Sequence, residues 1–418
     1  MVNVYSFLFN PFRGTVCEPV PTVDLSDILT RDEAIADIDY ILKRLKSRHP
    51  ACMNGIPEAV TEQSRIEKEN LPEEVTALQL WQAASRILAV MNDAHTGIAP
   101  FYESYNYYFP PFYFRFADGA LYCAKGEFEG SAVISIGGVP VDDLYRTFKS
   151  QFWYEREEYA DYFFTYAACR WQHWLAFLNA DVSEQVTVVL ETPHGEVSKE
   201  YSFIEWKPPE ENEDDTTFLS YEIDKVHSVG IFTLTECKYN DIYRETLEKF
   251  FTEVKNEQIR TIVVDLRNNG GGNAYVASEF ISYLDSDSNV GFAAIRTTRF
   301  GPVLWSDKLP ETNKVNDLLF SGDVYILTSP WTFSAATIFT TMISDNGLGK
   351  IVGETSGQTL PFYGGTLSFQ TPNARLLFHI SGSYIDRPDE SKEHLPLTPD
   401  YPSPANEALE TVYRLLYS

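Results

Sequence analysis

The chain has 418 residues, room for two or three domains at roughly 150 residues each, and its 44% hydrophobic and 22% charged residues are the composition of a globular protein, not of a disordered or collagen-like one. Sixty acidic against 33 basic residues leave a net charge of −27, a field that repels phosphate backbones and anionic lipid heads and so excludes nucleic acid as a main partner. The five cysteines are odd in number and far apart, which rules out a disulfide framework and any C-x-x-C metal or redox motif.

The first residues, MVNVYSFLFNPFRGTVCEPVP, place no basic segment ahead of an apolar run, so no secretory signal is read. The expected location is cytoplasmic, or exported if a signal has been removed. Thr30-Arg31-Asp32-Glu33 fits a capping box, and Ile35, Ile38, Ile41, Leu42 and Leu45 follow at helical spacing. His49-Pro50 ends that helix, because the residue before proline avoids the α region. Thr76 with Gln79 opens a second helix whose apolar face is Leu80, Trp81, Ala84, Ile87, Leu88 and Met91.

From residue 98 to about 205 the sequence turns to aromatic and β-branched alternation, with a hairpin signal at Asp118-Gly119. A small, mostly β domain is expected there, with a strand, turn and helix start over 130–143 and inserted helices over 152–178. The run EENEDD, residues 210–215, reads as an exposed acidic linker. Beyond it, strands over 230–237, 261–266 and 324–329 alternate with helices over 243–256, 274–284 and after Phe333, an α/β layer with a mostly parallel buried sheet. The uncharged stretch from Val324 to Ser344 has the length of a membrane span, but its eight Ser and Thr residues and Pro330 make it a buried strand, turn and helix. The expected domains are 1–97, helical; 98–207, mostly β; and 216–418, α/β.

Spacing excludes several chemistries. No two of the seven histidines stand three to five residues apart, so no zinc motif is encoded, and G-x-S-x-G, P-loop and G-x-G-x-x-G patterns are absent. What remains is a glycine turn, a serine at a helix start, a histidine and a late carboxylate. The turn, Asn268-Asn269-Gly270-Gly271-Gly272, follows the apolar strand TIVVDL. Its N–H groups suit an oxyanion hole, a phosphate nest, or a plain strand-to-helix turn. Ser334, in Trp331-Thr332-Phe333-Ser334-Ala335-Ala336, is either a nucleophile supported by the helix N-terminus or a helix cap.

DLRNNGGG, then TFSAA, then IVGETSGQT resemble, in that order, the core of the S41 serine peptidases, the C-terminal processing or tail-specific protease family. The helical lead-in and the closing TPDYPSP are similar as well, and GSAVISIGGVPVDDL resembles more faintly a PDZ-like module. The resemblance implies an α/β fold: a ClpP/crotonase-like catalytic core with an N-terminal helical lead-in and a small PDZ-like β domain. It implies a serine endopeptidase acting on peptides or unfolded protein, with no metal or other cofactor.

The serine-lysine branch of the family carries a lysine in the segment matching GETSGQT, where Gln358 stands here. The tricorn-like branch takes its histidine from D-x-H-[ST], which Asp93-Ala94-His95-Thr96 matches, and a glutamate shortly before a Pro-Asp pair, which Glu393 matches six residues before Pro399-Asp400. The resemblance thus implies Ser334 as nucleophile, His95 as general base and acid, and Glu393 as the orienting carboxylate. Asp386, Asp389 and Glu390 are rivals for that last role. It also implies oxyanion donors at Gly271 and Ala335, with Gly270 and Gly272 beside the substrate. Two departures from the family pattern stand out: Ala94 replaces a serine before the histidine, and Thr337 replaces an acid three residues after the nucleophile. The aromatic cluster from Tyr102 to Phe116 is mostly core, with Tyr107 a candidate for substrate selectivity. Alternative readings are a non-catalytic binder of an apolar ligand on the same fold, and an acyl or ester hydrolase.

Overall fold

The structure is a computed structural model that describes residues 14–102, 106–108, 113–183, 185–206, 217–285, 294–299, 303–308, 317–393 and 395–417; the acidic run 210–215 lies outside the described residues. The chain divides into two compact units, one built from Met1–Pro209, Thr298–Leu304 and Tyr363–Ser383, the other from Glu210–Thr297, Trp305–Phe362 and Tyr384–Ser418. Among the described residues no helix is long and apolar enough to cross a membrane.

In the first unit, helix Arg31–Arg48 begins in the expected capping box: Thr30 Oγ1 accepts the Glu33 N–H at 3.3 Å, and Glu33 Oε2 accepts the Thr30 N–H at 2.8 Å. Thr76 and Gln79 repeat the device at helix Ala77–Ala89. Between them Glu58–Asn70 is a helix that periodicity did not announce, because its one buried hydrophobic residue is Val60 and its surface is laced by Arg65 with Glu62 and Glu69. Asp118 and Gly119, both at positive φ, join strands Phe114–Ala117 and Ala120–Cys123. These strands lead into an antiparallel sheet with Ala132–Ile136, Gln185–Thr192 and Gly195–Ser202. The aromatic insertion supplies helices Glu157–Phe163 and Gln172–Phe177, and its rings join Phe148, Phe152, Phe163, Phe164 and Trp174 in one stack of contacts.

A late stretch of chain completes this unit. Strand Leu377–Ile385 pairs antiparallel with Gly97–Ala99, and the buried Asp37 carboxylate accepts the N–H groups of Asn373 and Ala374 at 3.0 and 2.9 Å. Gly97 is required by close approach, since a Cβ there would lie 2.0 Å from the Trp153 indole.

The second unit is the α/β layer. Strands Val229–Leu234, Thr261–Asp265, Asp323–Thr328, Lys350–Gly353 and Tyr401–Pro402 run parallel in that order, with Leu219–Asp224 antiparallel at one edge. Ile262 and Val264 face helices Asp241–Asn256, Tyr275–Ile281 and Ala335–Asp345, in a core with Phe232, Phe250, Phe280 and Phe339. Val263 faces the other way, with Val229, Leu327, Val352 and the Ala408–Leu416 helix. Burial on both faces explains why these strands read as continuous apolar runs instead of alternating ones.

Gly97→Ala should destabilise the first unit by about 3 kcal/mol, the upper range for overpacking, because a flat ring cannot yield to a methyl group. Denaturant unfolding followed by tryptophan fluorescence measures it; a loss below about 1 kcal/mol would contradict this packing.

Candidate active site

In the second unit, two loops leave neighbouring parallel strands at their C-terminal ends and are bonded to each other. Leu266 N–H donates to Leu327 O at 3.0 Å, Ser329 Oγ to Arg267 O at 2.5 Å, and Thr332 Oγ1 to Leu266 O at 2.9 Å. Arg267 grips Asp265 through Nε and Nη2 at 2.9 and 2.6 Å and donates Nη1 to Ala405 O at 2.7 Å. Those bonds to Asp265 raise the Arg267 pKa against the opposing effect of burial.

Asn269, fully buried, organises the glycine turn. Its Nδ2 donates to Leu234 O at 2.8 Å, its Oδ1 accepts the Gly271 N–H at 2.8 Å and the Cys237 thiol at 3.4 Å, and its carbonyl accepts the Phe333 N–H at 3.1 Å. Gly271 has φ +109°, and a Cβ there would sit 2.5 Å from Ser334 Cβ and 3.0 Å from Ala335 N. The glycine turn and the serine are therefore in van der Waals contact. Gly270 lies against the Trp331 ring and Gly272 against the Cys237 carbonyl.

Ser334 stands at φ +53°, ψ −120°, immediately before helix Ala335–Asp345, and its side chain bonds no helical N–H. That geometry removes the capping reading, since a capping serine is extended and accepts from the first turn. A non-glycine residue in this region costs about 1–3 kcal/mol and persists where surrounding contacts impose it. One such contact is visible: the Ser334 N–H donates to Oε1 of buried Gln358 at 3.0 Å. Among the described residues nothing accepts the Ala335 N–H, which adds to the positive helix terminus. Thr337, where relatives carry an acid, is buried and satisfied by Thr332 O and Ser356 Oγ at 3.2 and 3.0 Å.

The opposite end of that helix anchors the late acidic segment. Arg387 and Asp345, both almost fully buried, pair through Nε–Oδ2 at 2.9 Å and Nη2–Oδ1 at 3.1 Å. Arg387 Nη1 also holds the carbonyls of Lys392 and Leu395 at 2.7 and 2.8 Å. Glu393, exposed, lies between these two anchored carbonyls, and its N–H donates to Glu390 O. Asp389 is committed elsewhere, accepting from Ser391 N, Ser391 Oγ and Lys392 Nζ. Local bonding thus weakens one of the rival carboxylates.

His95 belongs to the first unit, in a turn after helix Ala77–Ala89. Its N–H donates to Asp93 Oδ1 at 2.9 Å, and Thr96 Oγ1 accepts the Ser381 N–H at 3.0 Å. Asp93, His95 and Glu155 bring one carboxylate or ring atom each within 4.8 Å of one another. Burial lowers the His95 pKa from its usual value, opposed by the Asp93 charge and by a hydrogen bond with the Tyr363 backbone. Burial works to raise the Asp93 pKa, but hydrogen bonds from the His49 ring and Thr96 and the charge of His95 bring it below the ordinary carboxylate value. Tyr107 lies in strand Asn106–Tyr108, paired with Ile204–Trp206.

Residues 228–402 match peptidase family S41. Its fold is similar to that of mature CPAF complexed with lactacystin, with a TM-score of 0.64 and 14% identity over 93% of this chain and 97% of that one. It is also similar to the photosystem II D1 C-terminal processing protease, with a TM-score of 0.51 and 14% identity over 92% of this chain and 97% of the other. No curated protein matches the chain.

Sequence reasoning missed Asn269, Glu155, the acceptor role of Gln358 and the pairing of His49 with Asp93. An amide inside a glycine turn was a usable signal for Asn269. Nothing in spacing connects residue 155 to 95 or 49 to 93.

Two stability predictions follow from the strained serine and its support. Ser334→Gly should be more stable than Ser334→Ala by about 1 kcal/mol, because glycine accepts positive φ freely; the opposite order in thermal unfolding would contradict the strain. Asn269→Ala should cost about 3 kcal/mol by stranding buried backbone groups, read in the same assay.

Proposed function

We propose that the protein is a serine endopeptidase that hydrolyses peptide bonds through an acyl-enzyme, with Ser334 as nucleophile, His95 as general base and acid, and Glu393 as the carboxylate that orients the imidazole. The observation that carries this reading is Ser334 itself: a serine held at positive φ, not capping its helix, beside an unengaged Ala335 N–H and packed on Gly271. The match of residues 228–402 to a peptidase family makes a peptide or protein the expected substrate.

Ser334 Oγ attacks the scissile carbonyl carbon while His95 takes its proton. The oxyanion that forms faces the Ala335 N–H and the positive end of helix Ala335–Asp345 behind it. The Gly271 N–H, bonded here to Asn269 Oδ1, joins as second donor by turning from that oxygen to the stronger acceptor. His95 returns the proton to the leaving amine, and water then repeats the sequence on the acyl-enzyme. Gly270 and Gly272 border the path of the substrate backbone, and Tyr107 contributes to side-chain selectivity. The −27 net charge favours neutral or basic peptides at low salt.

The test is digestion of a mixture of unfolded proteins and peptides, read by mass spectrometry. Ser334→Ala and His95→Ala should each lower cleavage by at least about 10³-fold; retained cleavage by either variant would sink the assignment. The base must be neutral to act, and burial lowers the His95 pKa. The acid limb of kcat/KM should therefore have its midpoint below the free-imidazole value of about 6.5, with activity lost as pH falls through it. A midpoint above about 7 would contradict the burial argument.

A further inference from the structure

The surroundings of His95 hold a second histidine that the proposed reaction leaves unused. His49 and Asp93 are both withdrawn from solvent, with Nε2 and Oδ2 2.9 Å apart. The Ala51 N–H donates to His49 Nδ1 at 3.1 Å, so Nδ1 is an acceptor without a proton, and the proton sits on Nε2, aimed at Asp93. This is a neutral imidazole locked in one tautomer by the first turn of the segment Pro50–Cys52. The Tyr363 ring packs on it with centroids 4.6 Å apart. Asp93 uses its other oxygen, Oδ1, to hold the His95 N–H at 2.9 Å.

A carboxylate stripped of water keeps its charge only while hydrogen-bond donors replace the lost solvation. Here the donors are the His49 ring, the His95 backbone and Thr96. The other titratable groups facing this point are Glu155, whose Oε1 accepts the Ala94 N–H at 3.2 Å, and Tyr363 and Cys52, both kept protonated by burial. Asp93 and Glu155 are thus the negative charges beside His95, and Asp93 is the one with a dedicated imidazole donor.

We infer that His49 is a positioning residue for His95: by donating to Asp93 it keeps a carboxylate ionised beneath the His95 turn, which fixes that turn and keeps the His95 ring basic. The inference rests on His95 being the general base of the proposed reaction. It adds a role for a histidine that the sequence marks only as a helix stop, and it gives the Asp of Asp93-Ala94-His95-Thr96 a physical task distinct from that of Glu393.

The test removes the donor and reads His95 directly. In a Ser334→Ala background, the His95 ring is titrated by NMR with and without His49→Phe. Loss of the donor makes Asp93 easier to protonate, weakens its pull on the His95 proton, and should lower the His95 pKa by at least half a unit while Glu155 stays unchanged. In the active enzyme His49→Phe should reduce kcat at least tenfold, leave KM within about twofold, and move the acid limb of the pH profile downward. His49→Gln, whose amide can donate where Nε2 did, should restore most of kcat, and His49→Asn, too short to reach Asp93, should not. This pair decides the matter if His49→Phe fails to fold. A folded His49→Phe variant with unchanged His95 titration and unchanged pH limb overturns the inference, as does equal behaviour of the Gln and Asn variants. The NMR readout does not depend on turnover. A moved His95 pKa in a protein that cleaves nothing would therefore uphold the His49 coupling and count against the peptidase reading instead.

Discussion

Asn269 is the point at which the loops of the second unit are joined. Parallel strands deliver their loops to one end of the sheet, but nothing in strand pairing fixes how those loops meet. Asn269 does so by bonding three of them at once: its side-chain amide takes the carbonyl ending strand Val229–Leu234 and the N–H of Gly271 in its own turn, and its backbone carbonyl takes the N–H of Phe333 beside the serine. A buried side chain with every group satisfied is rigid in a way that an apolar contact is not. Through its bonds to Gly271 and Phe333 the anchor brings the glycine turn against Ser334, whose own N–H is held by Gln358.

The two units solve different problems. In the second, a serine is held at positive φ, and the hydroxyls around it are turned inward: those of Ser329 and Thr332 donate to Arg267 O and Leu266 O, and those of Thr337 and Ser356 bond each other. In the first, a histidine is drawn out of water beside a buried carboxylate. Burial pulls its pKa down and the Asp93 charge pulls it up. The two effects oppose each other, so the basicity of the ring depends on the carboxylate beside it as well as on burial.

Much of this was legible in the sequence, for physical reasons that can be named. Capping boxes at Thr30 and Thr76 are local, and Asp118-Gly119 needs only its own two residues to adopt positive φ, so each is written where it acts. The buried strands announce themselves because both faces are apolar. Helix Glu58–Asn70 was not legible, since its stability comes from ion pairs and a single buried valine. The family resemblance nominated Ser334, but its conformation came from Asn269 and Gln358, contacts made across loops. Those around His95 span 44 and 61 residues, and no periodicity can encode such pairs.

The buried pair at the far end of the serine's helix has an electrical consequence. Asp345 lies at the negative pole of helix Ala335–Asp345, where its charge would add to the dipole, and Arg387 neutralises it there. Along its 11 residues, a length of about 16 Å, Asp345 is the one charged side chain. Its positive pole at Ser334 is left undiminished by an uncompensated acid behind it. Because both partners are out of solvent, dissolved ions cannot reach between them. The long-range field of the −27 net charge fades in salt, whereas a buried pair such as this one is screened far less.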